Sequence, residues 1–493
     1  MAQAGGLGRE RALRWLPLAF GIAGALGLGA WLQLAWQQIF HPLELFGHEG
    51  VIVDHVARLL RGEAIYGPPE LTFVPFLYTP GYYLLCAAFA WLGDLAFVVP
   101  RAVSALSTLV AMGCLALMVI RAGGNAVWGI AGVGVYALAA SQVEAWYALA
   151  QVDSLFVAVL ALAMAGVQRA RTASQWFAVG VLFALAFWCK QSGVLAGLIV
   201  ALVMAAASLR HGLAIVAGMA AGIAPPLAWI ALAGNDWFFF YVFAIPAGFG
   251  QDLAKLALLL RHDVPPLLPA GVLGLWLLAL LWRQEQRELL LRYVAVGAAL
   301  AGTAIAGRLH VGGHVNTLMP ALLLMALLLG IGGSFLWQRG GLESARRWAR
   351  PLVAVLVALQ FALVSDDFSR FRPASTGVAV AAEMRTALAA ARKPLLLPGL
   401  GYLIGEPAGA DPVAVNDVMR TSPSRARPLL EALERAMIER RFGGVVLEEF
   451  LRQRYQPLYG EYYRAVGPLT ADSDAVRPRA GLDFGTPWLL ESR

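Results

Sequence analysis

The sequence predicts an all-α, polytopic membrane protein of about eleven transmembrane helices with a small α/β domain at its C-terminal end. Three observations carry this. Apolar residues make up 59% of the 493 and charged residues only 14%, where an ordinary soluble domain carries about 25% charged residues. The apolar residues gather into runs approaching the ~20 residues that a helix needs to cross a bilayer. The arginines sit in short clusters between those runs, as expected for loops kept on one side of a membrane. The net charge of +7 therefore marks sidedness, and no nucleic-acid-binding face is implied.

In chain order the runs are 14–36, 100–120, 126–143, 153–168, 174–189, 192–209, 213–233, 264–282, 290–306, 315–337 and 351–366. The first follows Arg9, Arg11 and Arg14 and lacks a small-residue cleavage site. It reads as an uncleaved membrane helix that starts in the cytoplasm. The segment at about 80–93 is apolar but short, with Gly93-Asp94 behind it, and is expected to be re-entrant or interfacial. If it does not cross, Arg121, Arg169/Arg171, Arg210, Arg283/Arg287 and Arg339/Arg346/Arg347/Arg350 join the N-terminal arginines on the cytoplasmic side. The outer face then receives the first loop (37–99), Gln142–Asp153, Lys190–Gln191, Gly234–Asp263, Gly307–Asn316 and everything after 366. Cys86, Cys114 and Cys189 lie far apart in apolar segments and support neither a disulfide framework nor a metal cluster.

Residues 1–366 are thus expected to form the membrane domain and 367–493 a soluble extracytoplasmic one. Thr376–Ala391 and Arg425–Arg441 have helical periodicity. Pro394–Pro398 and Gly444–Leu447 are short apolar runs bounded by Gly or Pro, and the alternation suggests an α/β arrangement.

The first loop is the longest polar interval in the first half. Val53, Val56, Ala57 and Leu60 recur at helical spacing while Asp54, Arg58 and Arg61 share another stripe, so an interfacial amphipathic helix is expected. Gly62 stops it. Pro68, Pro69, Phe73, Pro75, Phe76, Tyr78, Pro80, Tyr82 and Tyr83 follow, a composition suited to the headgroup level. Asp54 has Arg58 four residues on, an ordinary helix ion pair.

Several polar residues each carry a functional and a plain reading. Glu49, at the start of the interfacial helix, is either a general base or an acid stabilised by the helix dipole. Asp153 opens an apolar run, where a charge usually lines a cavity; the alternative is a headgroup-level carboxylate. Lys190-Gln191 interrupts continuous apolar sequence, and the ammonium suits a phosphate or a snorkelling anchor. Arg308, His310, His314 and Asn316 flank Gly312-Gly313. They make a thin metal site but a better anion site, through Gly-rich amides and an arginine. Glu144 and His262-Asp263 read as loop surface.

The order of these features resembles the GT-C superfamily of glycosyltransferases, in the branch of the bacterial aminoarabinose and galacturonosyl transferases and the protein O-mannosyltransferases. The resemblance rests on the His48-Glu49 pair after the first helix and on Leu59-Leu60-x-Gly62, Tyr66 and Tyr78-x-Pro80. It continues through Arg101-x-x-Ser104, Asp153, Lys190-Gln191 and Asn316-x-x-x-Pro320, over about residues 10–340.

It implies a multi-span enzyme that uses a polyprenyl-phosphate-linked sugar at the outer face of the bacterial cytoplasmic membrane, and inverting transfer is the expected chemistry. The acceptor is a lipid, glycan or protein hydroxyl. By position the first-loop acid falls on His48-Glu49, the second acid on Asp153 and the phosphate-binding cation on Lys190. Many members have Asp-Glu where this chain has His48-Glu49, so the base assignment moves to Glu49, with Asp153 and Asp54 as further catalytic candidates. His48, Tyr78, Tyr82, Lys190, Gln191, Arg308, His310, His314 and Asn316 are the expected substrate-binding residues. No cofactor is assigned; a divalent metal, as some relatives use, would take Glu49 with His310 or His314. The rival class is a non-catalytic transporter or flippase for lipid-linked saccharides, which would want charges mid-span where none falls.

Overall fold

A computed structural model describes residues 2–90, 96–339, 346–392, 394–481 and 483–493. Gly93-Asp94 and Lys393 lie outside the described residues, as do the side chains of Arg9, Arg11, Arg14, Arg346 and Arg347. The fold is a helical bundle with a small α/β domain seated on one end, the class the sequence predicts.

Helix α1 (Ala2–Ile39) leads into the first loop, which holds α2 (Glu49–Leu60) and α3 (Gly81–Phe89). Then come α4 (Val98–Arg121), α5 (Ala126–Leu138), α6 (Asp153–Arg169), α7 (Ala173–Cys189), α8 (Gly193–Ala205) and α9 (Leu209–Leu232). Three short helices follow, α10 (Asp236–Phe239), α11 (Ile245–Phe249) and α12 (Lys255–Leu258). The bundle closes with α13 (Leu268–Arg283), α14 (Arg287–Leu309), α15 (Met319–Arg339) and α16 (Arg346–Val364).

Each apolar run expected from the sequence is a helix. Among the described residues seven are long and apolar enough to cross a membrane: Trp15–Ile39, Val98–Arg121, Ala126–Val143, Leu209–Leu232, Pro265–Arg283, Arg287–Leu309 and Val315–Arg339. The short segment near 80–93 is the nine-residue α3, about 14 Å long at 1.5 Å per residue. Gly234–Asp263, expected as outer loop, contains a further apolar helical stretch at Asp236–Phe249.

Glycines set how closely these helices pack. A Cβ on Gly134 of α5 would lie 2.1 Å from Gly24 Cα of α1, and one on Gly180 of α7 would lie 2.1 Å from Ile215 O of α9. Such backbone-to-backbone crossings matter in lipid, where apolar burial gives little drive for helices to associate. Between the crossings Trp31, Trp128 and Trp176 are fully buried. At one end, Thr172 caps α7 through a reciprocal pair with Gln175, so α6 turns into α7 within three residues. That tight turn fixes the opposite ends of the two helices, where Asp153 and Lys190 stand.

In the C-terminal domain, α17 (Gly377–Ala390), α18 (Pro412–Thr421), α19 (Pro423–Ile438), α20 (Glu449–Tyr459) and α21 (Ser473–Val476) surround four strands. These are β1 (Leu395–Leu396), β2 (Gly444–Glu448), β3 (Tyr463–Pro468) and β4 (Pro487–Ser492), in the order β1-β2-β4-β3. Only the β1–β2 pair is parallel. Strand alternation sends Val446 toward α17, and Val445 and Leu447 toward α19.

The domain is tied to the bundle by backbone hydrogen bonds. Arg479 N and Ala480 N donate to Leu45 O at 2.8 and 3.0 Å, and Ala410 N donates to Leu71 O at 2.8 Å. Gly481 N donates to Glu144 Oε2 at 2.7 Å. Glu144, expected at the loop surface, is therefore a bridge between the two parts.

Candidate functional site

A cavity of about 540 Å³ lies where α6, α7, α14 and α15 meet the first loop and α18. On its bundle side, Asp153 opens α6 and Lys190 follows the last residue of α7. Lys190 Nζ lies 2.6 Å from Asp153 Oδ1. The other carboxylate oxygen accepts from Trp146 Nε1 at 3.1 Å and from Asn316 Nδ2 at 3.0 Å. One buried carboxylate is thus held by donors from three separate segments, as a desolvated charge requires. Tyr78 lays its ring 5.6 Å from Lys190 Nζ. Gln191 Nε2 donates to Leu77 O and Val242 O, pinning the turn that carries Lys190.

His48, Asp417 and Arg420 line the cavity from the first loop and the C-terminal domain. His48 stands among Phe46, Phe76 and Phe484, and its Nδ1 is 3.3 Å from Asp411 Oδ2. Asp411 is itself fixed as the cap of α18, its Oδ1 accepting from Val413 N and Ala414 N at 2.9 Å. Nε2 of His48 has no hydrogen-bond partner among the described residues. Burial opposes the imidazolium, but the charge and hydrogen bond of Asp411 outweigh it and raise the His48 pKa above its ordinary value. Burial, and then the charge of Asp411, push Asp417 up to about 7. Glu448 is pushed up to about 7 by the same two causes.

The Gly-rich loop forms the remaining side. Lys255 Nζ donates to the carbonyls of His310, Val311 and Gly313 at 2.8, 2.8 and 2.9 Å, so all three ammonium hydrogens hold the loop. A Cβ on Gly313 would lie 2.0 Å from Gly307 O, and only glycine fits there. The loop amides are spent internally: Val311 N donates to Gly250 O, Gly313 N to His310 O and Gly312 N to His310 Nδ1. The expected cradle of free amides is therefore absent at these three positions.

Of the expected site residues, His48, Tyr78, Asp153, Lys190, Gln191, His310, His314 and Asn316 line one cavity. Four do not. Glu49 is completely buried away from it, with Arg101 Nε on Oε1 at 2.9 Å and Nη2 on Oε2 at 2.5 Å. Ala150 N and Leu45 N complete the carboxylate at 2.7 and 2.8 Å. Burial alone would raise the Glu49 pKa; Arg101 and these amides lower it instead. The general-base expectation for Glu49 does not fit this geometry, because every lone pair meets a donor. Asp54 forms no pair with Arg58, which turns to Glu63 and Glu70 and lies over the Phe73 ring. Tyr82 OH donates to Pro100 O inside the bundle. Arg308 is buried against Asp263 at 2.7 Å, so neither is loop surface or free anion ligand.

The metal reading fails on the same geometry. Glu49 is saturated by donors, and both ring nitrogens of His310 are engaged, Nε2 with Pro246 O and Nδ1 with Gly312 N. Among the described residues no group of three His, Cys, Asp or Glu is placed to hold a metal ion. Sequence reasoning missed Trp146, Lys255, Asp411, Asp417 and Arg420. Asp411-Pro412 is a recognisable helix start, but nothing in it signals contact with a histidine 363 residues away.

No protein-family model matches the chain, and no curated protein matches it by sequence. Solved structures do. ArnT from Cupriavidus metallidurans bound to undecaprenyl phosphate matches with TM-score 0.59 at 13% identity, over 94% of this chain and 97% of that one. The apo form of the same protein matches with the same figures. AglB of Archaeoglobus fulgidus, in complex with an inhibitory peptide and a dolichol-phosphate, matches with TM-score 0.49 at 12% identity, over 92% of this chain and 73% of that one. The chain shares the fold of ArnT over nearly its whole length.

Proposed function

We propose that this chain is an inverting glycosyltransferase moving a sugar from a polyprenyl-phosphate donor to an acceptor hydroxyl at the outer face of a bacterial cytoplasmic membrane. The observation that carries the proposal is one cavity with a braced cation on one wall and a braced imidazole on the other. Lys190 is held by Asp153, and His48 is held by Asp411. The fold shared with ArnT, solved with undecaprenyl phosphate, supports a lipid-phosphate ligand.

In this reading the donor phosphate enters beside Lys190 and competes with Asp153 for the ammonium. Trp146 and Asn316 keep Asp153 in place while Lys190 turns part of its charge to the phosphate. The acceptor oxygen attacks the anomeric carbon from the opposite face, and its proton passes to His48 Nε2. The glycosidic C–O bond breaks, and its electron pair leaves with the polyprenyl phosphate. Asp411 orients the imidazole and stabilises the imidazolium that forms. Glu49 takes no chemical part; it is the buried brace under the loop that presents His48.

The test is sugar transfer from a panel of polyprenyl-phosphate sugars by purified protein. His48→Ala should reduce turnover by roughly 10²–10⁴-fold, the usual loss of a positioned base, while donor binding persists. His48→Ala with unchanged turnover would move the base to Asp153 or Asp417. Donor bound by the wild type but never transferred to any acceptor would favour the transporter reading.

Eleven crossings and a cytoplasmic N-terminus are part of the proposal. Cysteines at Ser473 and Gln284, both exposed, should then be labelled from opposite sides by an impermeant thiol reagent. Labelling of both from outside would overturn the orientation.

A further inference from the structure

At the end of the bundle away from the cavity, a second and larger concavity of about 1480 Å³ opens among the helix turns. The 17-residue α6, which runs from Asp153 in the first site to Arg169 in this one, separates them by about 25 Å at 1.5 Å per residue. Five arginines line it, namely Arg121, Arg169, Arg171, Arg287 and Arg292, against two acids, Glu285 and Glu288.

Their states differ. Arg292 is structural: it is bound to Glu288 at 2.6 Å and to Val167 O and Ala170 O, and its guanidinium lies 5.0 Å from the Trp176 ring. That leaves Glu288 neutralised. Arg121, Arg169 and Arg171 are exposed and make no side-chain hydrogen bond or ion pair among the described residues. His211 stacks on Trp176 with ring centroids 5.1 Å apart, and its buried Nδ1 has no partner. The concavity thus has an ordered floor, a rim on which Arg121, Arg169 and Arg171 outnumber Glu285, and an unsatisfied ring nitrogen.

We propose that this concavity binds a phosphate-ester anion, with the headgroup of an anionic membrane phospholipid as the ligand. Guanidinium forks match phosphate oxygens, and basic pockets between helix ends at a membrane surface are suited to lipid phosphates. The reading is independent of glycosyl transfer and does not use the first cavity.

The experiment uses the full chain, purified in detergent, with phosphatidylglycerol, phosphatidylcholine and inorganic phosphate as separate probes, and retained ligand read by native mass spectrometry. Arg169→Gln/Arg171→Gln should weaken phosphatidylglycerol retention roughly tenfold or more, as loss of charge-assisted hydrogen bonds does. Arg210→Gln/Arg283→Gln removes the same charge from exposed positions outside the concavity and should leave retention unchanged. Displacement of the lipid by inorganic phosphate at matched concentration would keep the anion site and assign it to free phosphate. Equal weakening in both double variants would reduce the effect to general surface charge and overturn the proposal. So would retention of phosphatidylcholine as strong as that of phosphatidylglycerol. All substituted arginines are exposed, and elution as a single species confirms that each variant is folded.

Discussion

Glu49→Gln is the substitution on which the structure and the simplest reading of the sequence part company. Five donors face the carboxylate: Arg101 Nε and Nη2, Ala150 N, Leu45 N and, at 3.4 Å, Phe46 N. A glutamine offers one acceptor oxygen and turns two N–H donors toward other donors. It also leaves the Arg101 guanidinium, completely buried, without its counter-charge. Removing one partner of such a pair costs about 3–5 kcal/mol, or roughly 10²–10⁴-fold in the folding equilibrium at 1.4 kcal/mol per decade. Loss of a catalytic base has the same size, so total activity alone does not separate the two roles. The assay is therefore turnover per folded molecule, with a parallel denaturation curve for each variant in the same detergent. Glu49→Gln should lower the unfolding midpoint sharply, and the molecules that remain folded should still transfer. Arg101→Met should do at least as much damage, because Arg101 also donates to Gln38 O, His41 O and Leu43 O. A Glu49→Gln protein that melts with the wild type yet is inactive would refute the argument and return the base to Glu49.

Three further outcomes are expected. Lys190→Met should weaken polyprenyl-phosphate binding roughly tenfold or more, whereas the exposed Arg427→Gln should not; equal affinities would make Lys190 a structural partner of Asp153 alone. Gly313→Ala should destabilise by about 1–3 kcal/mol, as overpacking does, since its Cβ meets backbone oxygen at 2.0 Å; Gly312→Ala, with its nearest atom 3.7 Å away, should be tolerated. Burial and then the charge of Asp411 raise Asp54 to about 7, as they do Asp417 and Glu448. Each of these three carboxyls therefore binds more protons in the folded chain than in the unfolded one between about pH 4 and pH 7, and its contribution to stability falls as pH rises through that window. An Asp54→Asn variant whose stability changes across that window as the wild type's does would refute the clustering of these acids.

The fold was legible because apolar run length and arginine placement are statements about single segments. Asp153, Lys190 and Asn316 were legible for a related reason, since each is a polar residue interrupting apolar sequence. That they bind one another was not, because the partners are 37 and 163 residues apart. Local rules failed where a turn intervened. The i,i+4 spacing paired Asp54 with Arg58, but the chain reverses at Gly62, in the left-handed region, and brings Glu63 and Glu70 to Arg58 instead. Glu49 misled for another reason. Its position marks a helix start, and only the fold reveals that Arg101, 52 residues on, arrives to neutralise it. Strands β3 and β4 escaped notice because β3 is largely exposed and shows no apolar run.

The hydrogen bond from the first loop to Asp411 has a consequence for how such chains can be recombined. The C-terminal domain has the marks of an exchangeable module, with its own sheet and its own apolar interiors. Yet Asp411, Asp417 and Arg420 sit on or beside the cavity wall, within one cap and one helix of that domain. A chimaera joined after α16 would keep every helix of the bundle and still lose the group that orients His48. Recombination near residue 366 therefore has to carry α18 across with its matching first loop, and the two stretches should behave as one inherited unit despite the intervening bundle.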